Sequence, residues 1–199
     1  MLNWDVLRVT DTIFQPFPHV LAENVFQEED YQLLLQTIPP SEVYDAKIKN
    51  ERGKAHRLDC PLGSLDSDIW RALDAELRSD DLWHWVRKRF ERLDLPDYGM
   101  IDIRLFQDLP GYYLAPHTDA KSKIVTLIFY LAQNRQHAAW GTRLYTAAED
   151  TLPNTQLVSY RPNTMLGFVR SATSWHGCRP ISGTRNTLQV IYRSATTGK

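Results

Sequence analysis

"PHTDAKSKIVTLIFYL", residues 116–131, places a histidine and an aspartate two positions apart at the start of a long apolar run. In an extended chain successive side chains point to opposite sides, so residues of equal parity share a face. Val125, Leu127, Phe129 and Leu131 then form one wholly apolar face, and Ile124, Thr126, Ile128 and Tyr130 form the other. The first face suits packing under helices. The second is mixed, and a polar group on a buried wall needs a partner. His117 and Asp119 also share parity, so an extended segment projects both to one side.

Outward from this strand, the second half of the chain keeps the same character. Short β-branched or aromatic runs at 100–107, 112–117, 123–131, 139–146, 155–160, 164–170, 173–177 and 185–193 are divided by Gly, Pro, Asn and Asp. So many strands in about a hundred residues predict a double-sheet jelly roll or a barrel. The last strand repeats the two-faced pattern, with Leu188, Val190 and Tyr192 on one side and Arg185, Thr187 and Gln189 on the other.

The first half reads as mostly helical. "QEEDYQLLLQTI" (27–38) begins with acids and stops at Pro39-Pro40. Leu65, Ile69, Leu73 and Leu77 recur every four residues, and Leu82, Trp85, Val86, Phe90 and Leu93 continue the pattern. Trp83, Trp85 and Phe90 are packing residues on this reading. "HVLAENVF" (19–26) predicts a short strand, and the polar 46–59 a loop or edge strand. The expectation is therefore one α+β domain: a helical support region at 1–97, packed on one sheet of a jelly-roll core (double-stranded β-helix) at 98–195.

Composition narrows the function. The chain has 199 residues, 43% hydrophobic and 24% charged, with a formal net charge of −1. That fits one soluble globular domain and lacks the basic surplus of a general nucleic-acid binder. No run approaches the ~18 apolar residues of a membrane span. "MLNWDVLRVTDTIFQPFPHV" carries Asp5 and Asp11 and does not read as a signal peptide, so the expected location is the cytoplasm. Cys60 and Cys178 lie far apart and are expected to be free buried thiols.

The chemistry lies in a spaced set. His117 and Asp119 precede the two-faced strand, and "SATSWHGCRP" places His176 after a small-residue corner. Two imidazoles and one carboxylate on one face of a metal is the arrangement of non-haem Fe(II) oxygenases, which leaves positions open for co-substrate and dioxygen. Arg185 follows His176 by nine residues across a turn holding Pro180 and Gly183, and can aim a guanidinium into the same cavity as a carboxylate clamp. The plainer alternatives are a turn pair for His117 and Asp119, a strand-end histidine for His176, and a cross-strand salt bridge for Arg185.

In order, HxD (117–119), His176 and Arg185 resemble the Fe(II)/2-oxoglutarate-dependent oxygenases, and most of all their prolyl-hydroxylase-like branch. "KIVTLIFYL" is similar to that branch's strand after the HxD, and "WGTRLY" (140–145) resembles its Gly-rich strand. The likeness covers about 98–195 well and 17–40 loosely. It implies Fe(II) on His117, Asp119 and His176. It implies 2-oxoglutarate held by Arg185 with Tyr130 and Thr126, and O2 as oxidant. The reaction implied is hydroxylation of a small molecule, an amino-acid derivative or a peptidyl side chain, with release of succinate and CO2. Asp119 stands where a halogenase would have Gly or Ala, which implies a hydroxylase. The branch often carries a Tyr shortly before the HxD; here Tyr112 and Tyr113 are adjacent, and either is open as the one facing the iron. Arg104, Tyr113 and Trp140 are the substrate candidates, each with packing or surface alternatives, as is Trp175. Arg52 and His56 could belong to a lid. The competing class is a cupin-like protein that binds metal or carboxylate without turnover.

Overall fold

The computed structural model describes residues 1–46, 56–148 and 155–195. The chain opens with α1 (Trp4–Val9), β1 (Thr12–Ile13), β2 (His19–Glu23) and α2 (Glu28–Gln36). It continues through β3 (Asp45–Ala46), β4 (Arg57–Pro61), α3 (Asp68–Leu77) and α4 (Asp80–Arg89). Then come β5 (Met100–Asp108), β6 (Leu114–His117), β7 (Lys123–Tyr130) and β8 (Thr142–Tyr145). The last strands are β9 (Thr155–Val158), β10 (Thr164–Val169), β11 (Trp175–Cys178) and β12 (Arg185–Arg193).

Two sheets face each other. The larger runs β1-β2-β10-β7-β12-β5-β4-β3 and the smaller β6-β11-β8-β9, with every pairing antiparallel. This is the jelly-roll layering expected from the strand pattern. The two-faced strand sits at the centre of the larger sheet, between β10 and β12. Val125, Leu127, Phe129 and Leu131 join Leu188, Val190 and Tyr192 in one buried cluster with Trp70, Leu73, Leu77, Trp85, Val86 and Phe90 of the helical layer. Ile128 and Tyr130 turn the other way and pack with Leu144, Val158, Leu166 and Phe168 between the sheets. Ile124, at the strand's start, joins the helix-side cluster.

The sheet crosses the expected division near Tyr98. β1 and β2 form one flank of the larger sheet and β3 and β4 the other, so the first half supplies strands as well as helices. β4 lies inside the sheet beside β5 and is covered outwardly only by the two-residue β3. The polar 46–59 reads as a loop or an edge strand, and the structure instead sets β4 (Arg57–Pro61) one strand in from the edge, its inward residues charged. α1 was not anticipated either; Asn3 caps it by accepting from the Val6 N–H at 3.5 Å. Cys60 and Cys178 are buried and free, as expected. Arg52 lies outside the described residues. His56 is an exposed residue at the entry to β4, its carbonyl accepting from the Leu109 N–H at 2.7 Å.

Candidate metal centre and co-substrate channel

Antiparallel register sets His176 of β11 directly opposite His117 of β6. The ring centroids are 4.4 Å apart. Gly177 permits this approach, since a Cβ there would meet the Leu114 carbonyl oxygen at 2.5 Å. Each imidazole is oriented in the same way. His117 Nδ1 donates to the Ala115 carbonyl at 3.0 Å, and His176 Nδ1 donates to the Ser174 carbonyl at 2.9 Å. Placing the proton on Nδ1 leaves each Nε2 lone pair facing the cavity, which is how a metal-binding histidine is fixed.

Asp119 completes the set. Its Oδ1 stands 3.9 Å from His117 Nε2 and its Oδ2 4.0 Å from His176 Nε2. Two bonds of about 2.1 Å to one ion span up to ~4.2 Å, so a single ion can bridge each pair. The carboxylate is held from behind, with Thr126 Oγ1 donating to Oδ2 at 3.1 Å and Lys123 Nζ donating to Oδ1 at 2.6 Å. Burial would raise the Asp119 pKa, but Lys123 and the two histidines bring it down to about 2. Burial and the neighbouring His176 lower His117 to about 4, and burial lowers His176. At neutral pH the three groups are therefore two neutral imidazoles and an anion, the protonation state that metal binding requires. Among the described residues, these three are the group of His, Cys, Asp and Glu side chains arranged to hold a metal.

Behind the triad runs a channel of about 100 Å³ whose wall includes Tyr112, Tyr130, Thr142, Arg185 and Thr187. Its deep end is a row of three charges in register across the sheet: Arg57 of β4, Asp108 of β5 and Arg185 of β12. Arg185 donates from Nε and Nη2 to Asp108 Oδ2 at 2.9 and 2.7 Å, and from Nη1 to the Trp140 carbonyl. Arg57 donates from Nη2 to Oδ2 at 3.0 Å and from Nε to Oδ1. Its guanidinium lies 4.5 Å from the Phe106 ring centroid and 4.4 Å from that of Tyr112. Arg185 thus has the cross-strand salt bridge that was its plainer reading. Two guanidinium charges against one carboxylate still leave the row with a net charge of +1. Burial would raise the Asp108 pKa, yet the two arginines hold it below the ordinary range.

Two polar atoms beside this row lack partners. Tyr112 Oη and Thr187 Oγ1 are buried without a hydrogen bond among the described residues, and both side chains line the channel. A buried hydroxyl left unpaired costs about 1–3 kcal/mol, so each of these two has a donor to offer to an acceptor in the channel. Tyr130 is already bonded, donating to Thr142 Oγ1 at 2.8 Å and accepting from the Thr142 N–H at 3.1 Å.

Of the adjacent tyrosines, Tyr112 is fully buried against the channel, whereas Tyr113 is 44% exposed. The structure brings Tyr113 to neither cavity. Trp140 does not line either cavity: its carbonyl accepts from Arg185, its side chain packs behind the channel wall against the Tyr112–Cys178–Ile181 cluster, and its ring stacks on His137 at 3.8 Å and lines a separate depression. Trp175 also stays outside both cavities. Arg104 does line the outer cavity, a space of about 360 Å³ on the β4, β5 and β12 side of the metal ligands. Sequence reasoning missed Arg57, Asp108 and Thr187. Thr187 shares parity with Arg185 and was readable on the last strand, whereas Arg57 and Asp108 become site residues only through register.

The likeness to solved structures follows this architecture. A prolyl-4-hydroxylase from Pseudomonas putida superposes with a TM-score of 0.69 at 14% identity, over 96% of each chain. The fold is that of the 2-oxoglutarate/Fe(II) oxygenases. A prolyl hydroxylase from Trichoplax adhaerens, in complex with a peptide fragment of the hypoxia inducible factor oxygen degradation domain, gives 0.64 at 15% identity over 88% of this chain and 83% of that one. HygX from Streptomyces hygroscopicus, with nickel and 2-oxoglutarate bound, gives 0.61 at 12% identity over 98% and 89%. No family model matches the sequence, and no curated protein is significantly similar to it in sequence. Among the described residues, no helix is long and apolar enough to cross a membrane.

Proposed function

We propose that this protein is an Fe(II)- and 2-oxoglutarate-dependent hydroxylase. The observation that carries the reading is the pairing of a preset His117–Asp119–His176 triad with a cationic row and two unpartnered hydroxyls at the end of the adjoining channel. Fe(II) held by the triad supplies the dioxygen chemistry, which hydroxylates substrate while 2-oxoglutarate is converted to succinate and CO2. The chain's own residues position and shield. His117 and His176 present Nε2 lone pairs from opposed strands, and Thr126 and Lys123 keep the Asp119 carboxylate turned toward them.

The distal carboxylate of 2-oxoglutarate belongs at the inner end, where Arg185 and Arg57 together carry one positive charge beyond what Asp108 neutralises. Tyr112 and Thr187 donate their free hydroxyl protons to it. In this reading Tyr130 buttresses Thr142 and the channel wall and is not itself the principal clamp. The burial of all these groups excludes water and strengthens each charge interaction.

The test is succinate formation from 2-oxoglutarate with Fe(II) under air, with and without candidate substrates. A hydroxylase forms succinate slowly even without substrate, and His117→Ala abolishes it. A cupin-like binding protein would take up metal but form no succinate under any condition.

A further inference from the structure

The outer cavity carries a pattern that the metal and co-substrate sites do not use. Besides Arg57, which is paired with Asp108, and the Lys123–Asp119 pair, four charges alternate along its wall. Asp59 of β4 pairs with Arg104 of β5, Arg104 Nε donates to Asp102 Oδ1 at 3.0 Å, and Asp102 Oδ2 stands 3.6 Å from Arg193 Nη2 of β12. The order of these four is minus, plus, minus, plus, and their sum is zero. Arg104, Asp102 and Arg193 keep 26%, 27% and 22% of their side chains exposed, Asp59 lies buried behind Arg104, and all four line a space that opens onto His117 and Asp119. Phe106 and Ile191 supply the apolar surface between them.

Such a chain of ion pairs discriminates by charge type. A neutral ligand strips water from the four groups and returns nothing, while a ligand with one charge satisfies one sign and leaves the other uncompensated. A ligand bearing both charges can add its carboxylate to an arginine and its ammonium to an aspartate, so every group stays paired. We propose that the outer cavity takes a small zwitterion of the free α-amino-acid type, with its carboxylate on Arg104 and Arg193 and its ammonium on Asp102, Asp59 holding Arg104 in place from behind. This rests on the hydroxylase reading and narrows it. An internal residue of a peptide brings neither charge and is the poorer ligand. The cavity's ~360 Å³ lies at the small end of the range for ligand pockets.

The test uses the protein loaded with Ni(II) and 2-oxoglutarate, titrated calorimetrically with the twenty free L-amino acids, their amides and their N-acetyl forms, and with a prolyl tripeptide blocked at both ends. At least one free amino acid is expected to bind, with its amide and its N-acetyl form each weaker by roughly tenfold or more. Arg104→Gln is expected to cut the preference for free acid over amide severalfold, Arg193 keeping the remainder, while leaving that for free amine over N-acetyl. Asp102→Asn is expected to do the reverse. This crossed pattern is one that general loosening of the wall does not produce. Equal binding of blocked and free forms, tighter binding of the tripeptide, or loss of both preferences together in either variant overturns the proposal. Slow succinate formation without substrate separates the two levels. A protein that forms succinate yet binds no free amino acid overturns the substrate class alone, and one that forms none overturns the hydroxylase reading as well.

Discussion

His117 and His176 show how little separates an ordinary strand-end histidine from a metal ligand. Each has its Nδ1 satisfied by a backbone carbonyl, as an ordinary strand-end histidine would, and that same bond leaves Nε2 facing the cavity. Asp119 depends similarly on Thr126. Removing a group that orients a metal ligand typically costs ten- to a hundredfold in affinity. Thr126→Val is therefore expected to weaken Mn(II) binding by about tenfold, read by calorimetry, with the fold unchanged by circular dichroism. Asp108 makes a different prediction, about pH. Its folded pKa lies below its unfolded one, so its stabilising effect is complete above about pH 4 and is lost as pH falls through the lower, folded value. Asp108→Asn should be the less stable protein near neutrality, since it leaves two buried guanidiniums without their anion. The gap between the two proteins in urea unfolding should narrow as pH drops below about 4 toward the lower, folded value. The sequence could reveal the metal ligands because His117 and Asp119 share parity with each other and are followed in order by His176 and, nine residues on, Arg185. It could not reveal Asp108, because a cross-strand partner is a fact of register between segments far apart in the chain.

β7, β11 and β4 differ in how openly their roles were written. β7 has one wholly apolar face and one mixed face, so both were readable from parity except at Ile124, which joins the helix-side cluster, and its central position fits burial on both faces. β4 is the opposite case: with Arg57 and Asp59 directed inward, its apolar content signals no more than a loop or an edge strand. Charged interior positions conceal an element because hydrophobic period is the main signal of strand structure. β11 depends on one residue for its approach to β6. A methyl group at Gly177 would meet the Leu114 carbonyl oxygen at 2.5 Å, and backbone cannot swing aside as a side chain can. Gly177→Ala is thus expected to push β6 from β11 and spread His117 from His176. The expected result is a loss of Mn(II) affinity larger than that of Thr126→Val, although no ligand has been changed. If calorimetry shows unchanged affinity, the close approach is not what sets the triad.

The larger sheet as a whole has two unlike faces. Helices cover its outer face in a continuous buried cluster, while its inner face is apolar at one end, around Ile128, Leu166 and Phe168, and shares its space with charges at the other. His117 and His176 belong to the smaller sheet, whereas Asp119 is tied to the larger one through Thr126. A metal ion on the triad therefore ties the two sheets together at the end where charge, not hydrophobic packing, lines the gap. A ligand at a hundred times its Kd stabilises the folded state by about 2.7 kcal/mol. In a chain of this size each kcal/mol moves Tm by roughly 2–4 °C. Mn(II) with N-oxalylglycine, an inert analogue of 2-oxoglutarate, should thus raise Tm by about 5–10 °C. EDTA should reverse the shift, and His117→Ala should show none. Amide exchange should slow most in β6 and β11, whose strands carry the two imidazoles, and least in α3 and α4 behind the larger sheet. A uniform slowing across helices and strands would mean that the ion stabilises the fold without bridging the sheets.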